Sequence, residues 1–472
     1  MSLLKQGIEK KHHSIKNKVL GFMFQQYLRV DPFDLSQPIN AYYHVPEFQA
    51  YFSEMNFTQR SGEQIKRSVF HSHGFNFPDQ QTVNDRLSKY TFPKIEINLN
   101  EYFVNITESK NFFRPPFFVR GRAMALNRGT KKTNKSKVQE ETSVKPQIKV
   151  NSEKIRKRGK RRKLKERRKM QRERGIQRPD GLYLAADPHN IPYYGIEDID
   201  LPDGTNMSSY LIHRKAKKSS ITFFQYQVIY SYEQGVRQIL GVHHKRRHLV
   251  DGKWKEEGFG PILAYLMDPL ITRFDVRGFV GDGEYYNVDV CDYLILNELD
   301  FSIRADWTDE LRKWCEVENL SDTLEDGEGV EVKKGRIISN GKQSHTLRLV
   351  VVKRGGELTP LVMPSYSKLE PEQALLLYEE RFGIETNFRE TGLRMGFTTA
   401  HSVKYRLALF GTACAMYNLV LSYYEKVVAR SNNPSEWKVT LIEIMDILHN
   451  FQADYMLEAI SKNKQTEGVF DK

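Results

Sequence analysis

Apolar residues along this chain follow two periods, and the switch between them divides it. The stretch "FPDQQTVNDRLSKY" (77–90) places Val83, Leu87 and Tyr90 at helical spacing behind Asp79 or Thr82 as a cap. A short helix after a Gly/Pro-containing turn suits either a helix-turn-helix element or an ordinary surface helix. From residue 181 the pattern turns to strands. "GLYLAAD" (181–187) is a short apolar run ending in an acid, and "ITFFQYQVIYSY" (221–232) and "RQILGVHHK" (237–245) are β-branched and aromatic. The latter two predict neighbouring antiparallel strands. A helical pattern over 262–273 precedes "FDVRGFVGDGEYYNVDVCDYLILNELDFSIRA", which reads as strand, acid-bearing turn, helix, strand.

Beyond residue 305 the period is close to two. "GVEVKKGRIISNGKQSHTLRLVVVKRGGELTPLVM" turns at "SNGK" and "RGGE", which predicts hairpins. Helical spacing returns in "LLLYEERFGIETNFRE" (375–390) and in the apolar run "LALFGTACAMYNLVLSYY" (407–424). The fold class expected is α/β, a mixed sheet with a β-rich insertion ahead of the helix that carries Glu385, plus a helical N-terminal region. No internal repeat is present.

The expected division is as follows: 1–120, a helical DNA-end-binding region; 121–178, a basic linker or arm; 179–305, the first part of the core; 306–368, the β-rich insertion; 369–425, the second part of the core; 426–472, C-terminal helices. A chain of 472 residues is too long for one core.

Charge sharpens the choice of partner. The formal net charge is +13, which favours a polyanion, with nucleic acid first. Much of the excess sits in "KIRKRGKRRKLKERRKMQRERGIQR" (154–178), where only Glu166 and Glu173 oppose the Lys and Arg residues. Like charges and the lack of burial keep such a block from folding alone. It is either a solvated linker or a phosphate-binding arm in which Lys160, Arg161, Arg162 and Lys163 contribute affinity with little sequence choice. Cys291, Cys315 and Cys414 are too far apart for a CxxC pair, so a reducing compartment fits. The start lacks the apolar core of a signal peptide. The run at 407–424 contains Gly411 and Asn418 and reads as a buried core helix, so no membrane association is expected. The localisation that follows is cytoplasmic and nucleoid-associated.

Three acids carry the candidate chemistry. Asp187 ends the first apolar run, Asp282 follows "RGFVG", and Glu385 lies on a helix. Acids at strand ends line the crevice where ligands bind in α/β sheets, and carboxylate oxygens are what Mg²⁺ prefers. Each has a plainer reading. Asp187 could be a turn residue before Pro188, Asp282 sits in "GDG" with Glu284 as a rival, and Glu385 lies between Arg381 and Arg389 at ion-pair spacing. Together the three imply a site for two Mg²⁺ ions, with Mn²⁺ as a substitute.

"YEERFGIETNFRE" resembles the signature helix of insertion-sequence DDE transposases of the Tyr-Arg-Glu-Lys type. There, Tyr is followed by two residues, Arg, three residues and the catalytic Glu, and Tyr378, Arg381 and Glu385 match that spacing. "ADPHNIPYYG" (186–195) resembles the first-Asp segment of archaeal-type members, and "GFVGDGEYYNVDVCDYL" resembles the second-Asp segment. The order Asp, Asp, β-insertion, Glu also agrees. The chain departs at the family lysine, where Gly392 stands; Arg389 and Arg394 are near enough to replace its phosphate contact.

The resemblance implies an RNase H-like catalytic core in a cut-and-paste transposase. Asp187, Asp282 and Glu385 would be the catalytic metal ligands. Arg381 would hold phosphate near the cleaved strand, and Tyr378 would contact or stack on the element's end. His189 is expected to be structural or DNA-contacting, since Mg²⁺ prefers oxygen. Partners would be double-stranded DNA, as element ends and as target, and a second copy of the chain in the synaptic complex. The rival readings are a related RNase H-like metal nuclease and a transposase-derived DNA-binding protein with an idle core.

Overall fold

The computed structural model describes residues 80–109, 181–201, 204–217, 220–232, 237–341, 343–379, 381, 398 and 401–423. They fall into two compact units. Of the described residues, those within 1–107, 184–272 and 381–472 belong to the first, and those within 108–183 and 273–380 to the second.

The first unit begins with helices α1 (Gln80–Ser88) and α2 (Phe92–Ser109). In α2, Phe92, Ile95, Leu99, Tyr102 and Phe103 recur every three or four residues and are all buried, so α2 presents one apolar stripe to the core. Val83 and Leu87 of α1 are buried as well, which makes this helix pair part of the core. Strand β1 runs Leu182–Pro192, most of it in this unit, and is followed by β2 (Ile212–Lys217), β3 (Ser220–Tyr232) and β4 (Ile239–His244). β3 pairs antiparallel with β2 through Ile212↔Phe223 and with β4 through Val228↔Val242, as the β-branched and aromatic runs predict. A separate two-stranded ribbon, β5 (Arg247–Val250) and β6 (Lys253–Glu256), precedes helix α3 (Phe259–Arg273).

β4 is finished by side chains. Asn100 accepts the Val242 N–H at 2.8 Å, Glu96 the His244 N–H at 2.6 Å, and Asn418 the Ile239 N–H at 2.9 Å. These bonds satisfy backbone donors that would otherwise be buried without partners.

The second unit holds a parallel βαβ crossover: β7 (Val276–Gly281), helix α4 (Val288–Leu296) and β8 (Asp300–Arg304), with Gly278 opposite Asp300. Helices α5 (Asp309–Val317) and α6 (Leu320–Thr323) follow, then β9 (Gly329–Ser339), β10 (Ser344–Arg354) and β11 (Glu357–Pro364). The order is β7-β8-β11-β10-β9, and β11 joins β8 through Leu361↔Arg304. The period-two stretch is therefore built onto the same sheet as β8. The "RGGE" turn forms as read, with Gly355 and Gly356 at φ 61° and 86°, the left-handed pair that a tight hairpin needs. A further helix, α7, has described residues 371–379 and 381.

Helix α8 (Val403–Tyr423) returns to the first unit and is buried on nearly every side, as a central core helix must be. Among the described residues no helix is long and apolar enough to cross a membrane. Cys291, Cys315 and Cys414 are all free and buried.

Candidate functional site

Asp187 lies within β1, which continues to Pro192, so it is not the strand-end acid that the apolar run suggests. Pro188 lacks an N–H but leaves the extended path intact. The Asp187 side chain is 14% exposed, and its Oδ1 accepts a hydrogen bond from Arg381 Nη1 at 3.0 Å. Arg381 is itself only 4% exposed. Both residues belong to the first unit. A carboxylate withdrawn from water needs a cation, and here a guanidinium supplies it.

Elsewhere the same unit carries linked aromatic contacts. His189 stacks on Phe410 at 5.4 Å, and Phe410 stacks on Tyr226 at 4.4 Å. Arg406 lies over Phe224 at 4.8 Å and Tyr193 at 5.7 Å, and donates to the Thr398 carbonyl at 3.3 Å. Burial lowers the Arg406 pKa, while Tyr226 and Tyr193 act to raise it.

Behind β4 sits a charged cluster. His243 Nδ1 faces Glu96 Oε2 at 3.1 Å and its Nε2 faces Glu257 Oε2 at 2.9 Å. Burial alone would lower its pKa; the Glu96 charge and the two carboxylate hydrogen bonds outweigh that and lift it to about 9. Its neighbour His244 is also buried, and there desolvation wins, carrying it down to about 3. The identical side chains thus separate into an imidazolium and a neutral ring. No sequence pattern announces this, because Glu96 lies on a helix far away in the chain.

In the second unit, Asp282 directly follows β7, as expected, and caps a short 3₁₀ turn through Glu284 N–H to its Oδ1 at 3.0 Å. Asp282 is half-buried, whereas its rival Glu284 is exposed. Tyr378 of α7 is 1% exposed, with the Arg354 guanidinium 5.8 Å from its ring. A ring so buried packs against protein; in this structure it does not present a face to a DNA base. The same holds for Arg381 and phosphate, since its guanidinium is turned to Asp187.

Glu385, Arg389, Gly392 and Arg394 lie outside the described residues, as do Lys160, Arg161, Arg162 and Lys163. Among the described residues no three His, Cys, Asp or Glu side chains gather as a metal-holding group.

Among the described residues the architecture is mixed α/β. No protein-family model matches the chain, and no curated protein matches it. One similar solved structure is a cryo-EM structure of a piggyBac transposase synaptic complex with hairpin DNA. It is 12% identical, with a TM-score of 0.46, covering 90% of this chain and 74% of that one. At that level two chains need not share a fold.

Proposed function

We propose that this chain is a DDE-type DNA transposase that cleaves the ends of a mobile element and joins them to target DNA. The observation that carries the reading is the 3.0 Å contact between Arg381 and Asp187. These residues come from two segments that resemble the same family separately, 194 positions apart in the chain. Their meeting is what a shared site requires. Arg381 and Glu385 are four residues apart in the sequence, which is the family's own spacing.

On this reading Asp187, Asp282 and Glu385 hold two Mg²⁺ ions, or Mn²⁺. The donor set fits a hard cation in type, since all three are carboxylates. Bound there, the ions supply the positive charge that activates the attacking hydroxyl and offsets the leaving oxygen. Arg381 holds Asp187 in place through their hydrogen bond, and Tyr378 anchors its helix by packing against Arg354. Arg389, Arg394 and the block around Lys160, Arg161, Arg162 and Lys163 bind DNA phosphates, and the protein acts as a homodimer on two ends.

Two displacements use one site. Water attacks a phosphodiester at the element's end, breaking the bond between phosphorus and the 3′-oxygen and leaving a 3′-hydroxyl. That hydroxyl then attacks a target phosphodiester, forming a new phosphorus–oxygen bond and releasing the target's own 3′-oxygen. The proton of each attacking group passes to solvent, and each departing 3′-oxygen takes one up from solvent.

The test uses the full chain, Mg²⁺, a supercoiled target, and a duplex ending in the inverted repeat that flanks the gene. Joined products are expected, and Asp282→Ala should abolish them while leaving DNA affinity within about twofold. Cutting without joining would make the protein a nuclease. Binding without either would make it a transposase-derived DNA-binding protein.

A further inference from the structure

β7 and β8 run parallel, and beyond their carboxyl ends opens a cleft of about 490 Å³. Tyr286 and Asp289 line it from the segment after β7, Asp306 from the segment after β8, and Arg336, Ile337 and Asn340 from the end of β9. All six belong to the second unit. The crevice outside the carboxyl ends of parallel strands is where α/β sheets hold ligands.

A bulge in β9 places Arg336 on this lining. Arg336 pairs with Leu347 and Val332 with Leu349, so four steps along β9 match two along β10. Gly335 takes a φ of 62° inside the bulge, where a Cβ would meet the Leu347 carbonyl oxygen at 2.6 Å. Bulges of this kind re-aim a neighbouring side chain. The half-buried guanidinium is then fixed, with Nε donating to Tyr286 Oη at 3.1 Å and Nη1 to Thr308 Oγ1 at 3.2 Å. Both partners are neutral. Burial raises the Tyr286 pKa and outweighs the Arg336 charge that acts to lower it, so the phenol keeps its proton at neutral pH. Among the described residues no carboxylate forms an ion pair with Arg336. A guanidinium oriented by two neutral oxygens keeps its full charge for an anion.

Two acids narrow the choice of anion. Asp289 and Asp306 are exposed on the same lining, so a dianion such as a phosphate monoester meets one cation and two like charges. A phosphodiester carries a single charge, spread over two oxygens that match the planar fork. Ile337, 68% exposed, offers an apolar wall to the adjoining sugar.

We propose that this cleft is a phosphodiester-binding site in which Arg336 holds a nucleic-acid backbone. Asp282 caps the 3₁₀ turn that ends at Tyr286, and the Tyr286 N–H donates to the Gly283 carbonyl at 3.1 Å. The residue that orients Arg336 is thus tied to the turn that carries Asp282. Arg336 fills the role expected of Arg381, whose guanidinium is turned to Asp187. The inference deepens the transposase reading and rests on it for nucleic acid as the substrate.

The experiment is fluorescence anisotropy of the full chain with a labelled duplex of about 30 base pairs across a salt series. Arg336→Gln should bind about tenfold more weakly and lower the slope of log affinity against log salt by about 1. Lys368→Ala, exposed beyond the end of β11, should change neither. A scan of single neutral methylphosphonate linkages keeps the test independent of how well the variant folds. One linkage should weaken the unaltered chain about tenfold and Arg336→Gln not at all; no such linkage would overturn the site. Unchanged affinity and slope in Arg336→Gln, in a chain that does bind DNA, would overturn the site and leave the transposase reading standing. Inorganic phosphate or a nucleoside 5′-monophosphate, at matched ionic strength, should not displace the duplex. Displacement by either from the unaltered chain but not from Arg336→Gln would make the cleft a monoester site and the inference wrong. The Arg336 effect on binding without any joining would overturn the transposase reading and support the site. No DNA binding by the unaltered chain would overturn both.

Discussion

Arg381 Nη1 donates to Asp187 Oδ1 at 3.0 Å, with both side chains largely withdrawn from water. Breaking one half of such a pair strands the other charge in a poor environment. Arg381→Ala should destabilise the protein by about 3 kcal/mol in urea unfolding. Asp187→Asn/Arg381→Gln should recover part of that loss. A double-mutant cycle giving plain additivity would show that the pair contributes nothing as a pair.

His243 makes stability depend on pH. Its pKa is lifted from 6.5 to about 9, so its contribution is complete below about pH 6.5 and fades as pH rises through about 9. Burial alone would raise the Glu257 pKa, but His243 more than offsets it and holds the carboxyl below its ordinary 4.5. The Glu257 contribution is therefore present above about pH 4.5 and lost as pH falls below that. Both are in place between about pH 4.5 and 6.5. The full His243 shift corresponds to roughly 3 kcal/mol. Chemical denaturation between pH 6 and pH 10 should show that decline, and His243→Gln should flatten it.

Gly411 of α8 is forced by its neighbour. A Cβ there would meet Leu99 Cδ2 at 2.6 Å. Gly411→Ala should lower stability by about 1–3 kcal/mol through overpacking. Leu99→Ala, which empties the same contact, should make the added methyl tolerable. Thermal melts of the two single variants and the double variant decide it: the double should be no less stable than Leu99→Ala alone.

Asn418 holds both backbone groups of Ile239, accepting its N–H at 2.9 Å and donating to its carbonyl at 2.8 Å. Asn418→Ala leaves both in a buried place without these partners and should cost about 2–3 kcal/mol. Amide hydrogen exchange at Ile239 should speed up selectively; unchanged protection there would rule the bonds out as stabilising.

Much of the local structure was legible in advance. Strands β3 and β4 follow from β-branched and aromatic runs, the β7–α4–β8 crossover from its strand–acid–helix–strand pattern, and the last hairpin from two consecutive glycines. In the apolar helix near the C-terminus, Asn418 already argued for a protein interior, and its pairing with Ile239 gives the reason. The ribbon went unread although Asp251–Gly252 is a strong hairpin signal, because its strands are only four residues long and largely polar.

Periodicity and turn chemistry act over a few residues, so a chain read in order can display them. Ionic partners are another matter. That Arg381 would turn to Asp187 and not outward, that Glu96 would reach His243, and that one of two adjacent histidines would be charged and the other neutral depend on which elements pack together. Burial strips water from a charge and lets a residue nearly two hundred positions away determine its state, and that distance closes only when the chain folds.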